Sequence, residues 1–162
     1  MTTATMKKIS ITVKGEHSFW FDPRGDGWVT NTHYLLHSDR CQFHKREMKQ
    51  KHAEGIAFRW TKQRGMDDAE YLPDAQKLFD EELRKGVGVE VRIVNTRPVK
   101  HNVTICELES FEGTKKTLMD EKYKHIVDAA AHVYVTGTND PIRLADEEGN
   151  VFGLLMPIKS YR

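Results

Sequence analysis

"DPIRLADEEGNVFGLLMPI", residues 140–158, is the stretch on which the reading of the fold turns. Strand character follows Pro141, and "DEEGN" (146–150) has the polar, glycine-containing make-up of a hairpin turn. The apolar run from Val151 to Met156 then reads as a second strand, halted by Pro157. Strands joined by so short a turn pair antiparallel. An apolar run this close to the final residue, Arg162, has to be packed or bound, because a polar chain end has no use for it.

Upstream, "HVYVTG" (132–137) is a further short strand. The stretch from Thr114 to Ala131 predicts a helix with Leu118, Met119, Tyr123, Ile126 and Val127 on one face. "VGVEVRIV" (87–94) and "NVTICELE" (102–109) alternate as strands joined through "NTRPVKH". "LPDAQKLFDEELRKG" (72–86) is the clearest helix, with Pro73 near its start, Ala75, Leu78, Phe79 and Leu83 at helical spacing, and Gly86 as its stop. Nearer the N-terminus, "KKISITVKGEHSFWF" (7–21) reads as a hairpin and "WVTNTHYLLHS" (28–38) as strand. Asp39 to Gln50 lacks Pro and Gly and predicts a helix, while Gly55 and Gly65 bracket a short segment with Phe58 and Trp60. Helices gathered on one face of an antiparallel sheet make an α+β domain, here a single one over residues 1–162 with 36–66 as a basic insertion. The helix-then-strands unit recurs, from Pro73 to Glu109 and from Thr114 to Pro157.

Composition narrows the class. With 38% hydrophobic and 30% charged residues, the 162-residue chain can bury one core and is not of the disordered type. No apolar run approaches the roughly 20 residues that span a bilayer, and "MTTATMKK" lacks the apolar region of a signal peptide. Cys41 and Cys106 make no disulfide framework, so a reduced, cytoplasmic protein is expected. Net charge is only +1, but it is unevenly spread. Basic residues crowd Arg40 to Arg64, and acidic ones crowd Asp67 to Glu82. A basic block attracts phosphate, although a solvated face is the commoner origin of one.

Three constellations bear on chemistry. His33, His37, Cys41 and His44 carry zinc-type ligands, and a helix would put 37, 41 and 44 on one face. No second Cys or carboxylate pair completes a recognised spacing, so scattered histidines are the default and no metal or cofactor is expected. No nucleophile elbow, phosphate loop or metalloprotease motif is present, and the chain shows no enzyme signature. Phe19, Trp20, Phe21 and Trp28 lie close to the basic block. Aromatics beside Lys and Arg suit single-stranded nucleic acid, although a hairpin with Phe19 and Phe21 facing the core is the simpler reading.

"NDPIRLADEEGNVFGLLMPIKSYR" (139–162) resembles the C-terminal end of bacterial DNA polymerase sliding clamps, the β subunit family. Those chains finish on a strand pair and an apolar–Met–Pro–apolar–basic motif, here "LLMPIK" (154–159). "EKYKHIVDAAAHVYVTG" (121–137) is similar to the family's last helix and the strand after it. "TNTHYLL" (30–36) matches its T-D-G-H-R-L strand end at Thr30, His33 and Leu35, and "LPDAQKLFDEEL" (72–83) looks like its strand-Pro-helix segment at Pro73 and Leu78. Asn31, Thr32 and Tyr34 stand where the family has Asp, Gly and Arg, and a full clamp subunit is more than twice as long.

The resemblance implies a DNA-clamp-like domain and a non-enzymatic binding protein of DNA replication or repair. A groove of Thr30, His33, Leu35, Pro73, Leu78, Leu155, Met156, Pro157, Ile158 and Lys159 would dock a short peptide of a DNA polymerase or another replication or repair protein. Thr30 and His33 would hold the peptide backbone, and Lys159 an acidic residue. In a homo-oligomer closed around double-stranded DNA, Lys45, Arg46, Lys49, Lys51, Arg59, Lys62 and Arg64 would contact phosphate. Two rivals remain. One is a metal-dependent, nuclease-like enzyme on the His/Cys cluster; the other is a plain nucleic-acid-binding α+β domain whose C-terminal strand is core.

Overall fold

The computed structural model describes residues 7–69, 72 and 74–158. The chain divides into two compact units, Met1–Asp80 and Glu81–Arg162. Both are built on antiparallel sheet with short helices, an α+β arrangement. Among the described residues, no helix is long and apolar enough to cross a membrane.

The first unit holds β1 (Ile9–Ile11), β2 (Ser18–Asp22), β3 (Trp28–Thr30), β4 (Tyr34–His37), β5 (Cys41–Phe43), α1 (Arg46–Glu54), β6 (Phe58–Thr61) and β7 (Gly65–Asp68), and α2 (Ala75–Leu83) begins in it. Its sheet runs β4-β3-β2-β6-β7, antiparallel throughout. Two sequence expectations fail here. β1 does not form a hairpin with β2 but pairs in parallel with β5, Ile9 beside Cys41 and Ile11 beside Phe43. The helix expected over 39–50 is split, its first part forming β5 and its remainder opening α1. The reason is visible in the burial. Cys41 and Phe43 point inward with Gln42 between them exposed, a period of two that outranks local helix propensity. Residues 36–66 contain β5, α1 and β6.

Alternation sorts the sheet residues onto two faces. Phe19, Phe21, Phe58 and Trp60 share one face by register, and Phe19, Phe21 and Phe58 are all but fully buried. Phe43 of β5 joins them, 6.3 Å from Phe19 and 5.4 Å from Phe58 between ring centroids. Stacked and edge-to-face pairs of this kind add roughly 0.5–1.5 kcal/mol each beyond their buried area. α1 covers that face with Met48 and with His52, whose ring stands 5.0 Å from Phe21. Its end is set by Gly55, whose φ of 68° is a left-handed cap that other side chains resist. Trp28 lies on the opposite face, and Phe79 of α2 meets it at 4.7 Å. In this unit the helices therefore flank both faces of the sheet, not one, because aromatic side chains emerge on both.

The β3–β4 turn carries Thr32 at φ 77°, a region β-branched residues rarely adopt. Local bonds hold it there: Asn31 Oδ1 accepts the N–H groups of His33 and Tyr34, each at 2.9 Å, and Thr30 Oγ1 accepts that of Thr32.

The second unit holds the end of α2, then β8 (Val89–Pro98), β9 (Thr104–Ser110), β10 (Lys116–Asp120), α3 (Lys124–Ala129), β11 (His132–Val135), β12 (Ile142–Ala145) and β13 (Val151–Leu155). Strand order is β10-β9-β8-β11-β12-β13, antiparallel throughout. The hairpin of 140–158 is present as read. Ile142 pairs with Leu155, and Asp146 Oδ1 accepts the N–H groups of Glu148 and Asn150, both at 2.9 Å. The helix expected over 114–131 shrinks to α3, because Thr117 and Met119 are buried while Lys116 points out, and β10 forms instead.

Candidate functional site

The structure divides the predicted peptide-groove residues by burial. Thr30 is buried, and its hydroxyl donates to Tyr34 O at 2.6 Å, so it is already engaged. Leu35 stands opposite it in register and is also buried, whereas His33 in the turn is exposed. Leu78 lies on α2 at helical spacing with Ala75 and Phe79. It is 56% exposed, while those two are buried. Leu155 has no exposed surface, and Met156 beyond it is 43% exposed. Pro157 and Ile158 are half-buried, and Ile158 N–H donates to Leu118 O at 2.8 Å, laying the end of the apolar run along β10. Pro73 and Lys159 lie outside the described residues. Within the apolar C-terminal stretch, Phe152, Leu154 and Leu155 are buried.

The basic block, continuous in sequence, is not one surface. Lys45, Arg46 and Lys49 are exposed on and just before α1. Lys51 is half-buried and pairs with Asp68 at 3.5 Å. Arg59 faces the other way: it alternates with Phe58 and Trp60, whose face α1 covers, so it emerges on the side bearing Trp20. Lys62 and Arg64 are exposed in the β6–β7 turn.

The His/Cys constellation does not assemble. With β5 in place of a helix, Cys41 turns inward and its Sγ donates to His37 O at 3.5 Å, while His44 is exposed in the loop before α1. Burial, with Asp39 nearby, pushes the Cys41 thiol far above its ordinary value. Among the described residues, no group of three or more His, Cys, Asp or Glu is placed to hold a metal ion.

His37 and His52 instead pack in aromatic surroundings. His37 stands 4.5 Å from Trp28 and 5.3 Å from Phe79, its Nε2 4.0 Å from Asp26 Oδ2 and without a hydrogen-bond partner among the described residues. His52 stands between Phe21 and Phe43, at 5.0 and 5.3 Å. Burial holds both imidazoles below the ordinary 6.5. For His37, Asp39 and Asp26 oppose that shift and Arg40 adds to it; for His52, Lys8 adds to it, and a bond to the Ser38 backbone and Asp39 oppose it. The unfolded chain therefore takes up protons at a higher pH than the folded one. The first unit keeps this part of its stability above about pH 6.5 and loses it as pH falls through that value toward the lowered folded ones. Urea titrations at about pH 7 and pH 5 should show the midpoint falling with acid, and less steeply in H37F/H52F. An equal fall in both proteins would refute the assignment.

One arrangement remains open to a ligand. Trp20 lies opposite Arg59 in register, half-exposed, and the Arg59 guanidinium carbon sits 5.3 Å from the centre of its ring. Ser18 and Thr61 form the next pair but one on the same face, beside the turn that carries Lys62 and Arg64. The sequence shows Trp20 near a basic block, but only the β2–β6 register selects Arg59 as its partner. Comparison of the chain with protein-family models, curated proteins and solved structures finds no match.

Proposed function

We propose that the protein binds nucleic acid through the Trp20 face of the first unit. The observation that carries the proposal is the Arg59 guanidinium over the half-exposed Trp20 ring, on a face flanked by Lys62 and Arg64. An indole offers a base a flat surface, and a guanidinium held against it supplies both stacking and a phosphate partner. Lys45, Arg46 and Lys49 are outward-facing cations, and would contribute general phosphate attraction. The clamp-like reading, with a partner's peptide docked on the protein, keeps the exposed Leu78 and Met156 in its favour. It is the lesser reading, because Thr30, Leu35 and Leu155 are buried.

Fluorescence anisotropy of the full chain with a labelled oligonucleotide tests the proposal. Trp20→Ala and Arg59→Ala should each weaken binding by about tenfold, in line with the roughly 1–3 kcal/mol of one base–aromatic stack. Affinity should also fall steeply with salt. Wild-type affinity in both variants would rule out this face.

A further inference from the structure

A second set of rings lies on the solvent side of the sheet in the second unit. Along β8, Val91 is buried, so Glu90 and Arg92 project to the other side. Glu90 stands opposite Tyr134 and Arg92 opposite Glu109, and His132 shares the side of Tyr134, two positions away. His132 and Tyr134 are half-exposed, with ring centroids 6.2 Å apart and planes tilted by 30°. Phe111, in the β9–β10 turn, is 71% exposed, and the Arg92 guanidinium carbon sits 4.8 Å from its ring centre. Two carboxylates of this face have cationic or imidazole partners: Glu90 Oε2 lies 2.9 Å from His132 Nδ1, and Glu109 Oε1 3.4 Å from Lys116 Nζ.

Phe111 has no role in the core, yet its ring is presented to solvent with a guanidinium laid against it. The neighbouring rings alternate with charged groups rather than merging into the continuous apolar patch that a protein partner favours. Rings interspersed with cations on a sheet face suit unpaired bases, whose faces are free to stack. A duplex keeps those faces inside its own stack and offers only phosphate here. We infer that the Phe111–Arg92 face, with Tyr134 and His132, is a base-stacking surface for single-stranded nucleic acid. This rests on the nucleic-acid reading above, and adds to it the preference for an unpaired strand and a contact surface in the second unit.

The test is anisotropy of the full chain with a labelled oligothymidylate of about 20 nucleotides and with a duplex of the same length. The expected result is tighter binding of the strand than of the duplex. Phe111→Ala and Arg92→Ala should each weaken the strand complex by about tenfold, and Phe111→Ala should leave the duplex complex unchanged. Because Phe111 is exposed, F111A should melt as the wild type does, separating lost contact from lost fold. If the wild type binds the strand and both variants bind it equally well, this inference is overturned while the Trp20 reading stands. A wild type that binds neither strand nor duplex overturns both, and leaves the Phe111 face to a protein partner.

Discussion

Arg143→Ala is expected to destabilise the protein by about 3–5 kcal/mol, as breaking a buried charged network does. Arg143 is 5% exposed in the middle of β12. Its Nη1 donates to Gly86 O at 2.6 Å and its Nη2 to Glu82 O at 2.9 Å. Those carbonyls belong to the last turn of α2 and the residues just after it, where carbonyl groups lack helical partners and the helix dipole favours a cation. One guanidinium thus ties two carbonyls together, and alanine would strip the Glu82 carbonyl of its charged donor and leave it only the Lys85 N–H at 3.2 Å. The Glu82 carboxylate beside it is also buried and bridges to Lys85 at 2.9 Å, so the cluster has little water to fall back on. Arg143→Lys should recover only part of the loss, since an ammonium cannot reproduce the fork that spans both carbonyls. Urea unfolding followed by far-ultraviolet circular dichroism reads this as a lower midpoint at an unchanged slope. A midpoint within error of wild type for R143A would refute the capping role.

Trp28→Ala should cost a similar amount, about 3–5 kcal/mol, through the cavity it would open. The indole is fully buried between β3 and the start of α2, against Phe79 and His37. Its Nε1–H donates to Gln76 Oε1 at 3.0 Å, and the same oxygen accepts Asp26 N–H at 3.0 Å. The helix is therefore tied to the β2–β3 turn through one amide oxygen, with Gly25 so close that a Cβ there would come within 2.5 Å of it. Trp28→Phe separates the two contributions. It keeps one aromatic ring of the packing and loses the N–H with part of the indole volume, so it should cost less than W28A, about 1–3 kcal/mol. Near-ultraviolet circular dichroism alongside the urea midpoint would report both, and equal stabilities for W28A and W28F would show that the packing argument is wrong.

The elements legible from sequence are those whose signals are local. The hairpin at 146–150 is decided by Asp146, whose carboxylate caps its own turn, and by Gly149 at φ 83°. α2 shows its helical spacing plainly, and β8 and β9 alternate over enough residues to be read. The misreadings at 39–50 and 114–131 share one cause. Each covers a three- to five-residue strand whose propensities fit a helix equally well. Cys41 and Phe43, or Thr117 and Met119, commit to the extended state only because partner strands and an apolar interior receive them.

By itself the sequence determined composition class, the antiparallel hairpins, the principal helix and which aromatics lay near positive charge. Those follow from turn chemistry, side-chain period and proximity along the chain. Tertiary structure alone decided which charges share a face. Strand register sends Arg59 to the Trp20 side and leaves Lys49 on the helix over the opposite face. It likewise brings Arg92 to Phe111, and turns Cys41 inward and out of reach as a metal ligand. A one-residue change of register would reverse each of these assignments, because successive side chains of a strand point to opposite faces. Pairing partners distant in the chain set that register, and no local signal encodes it.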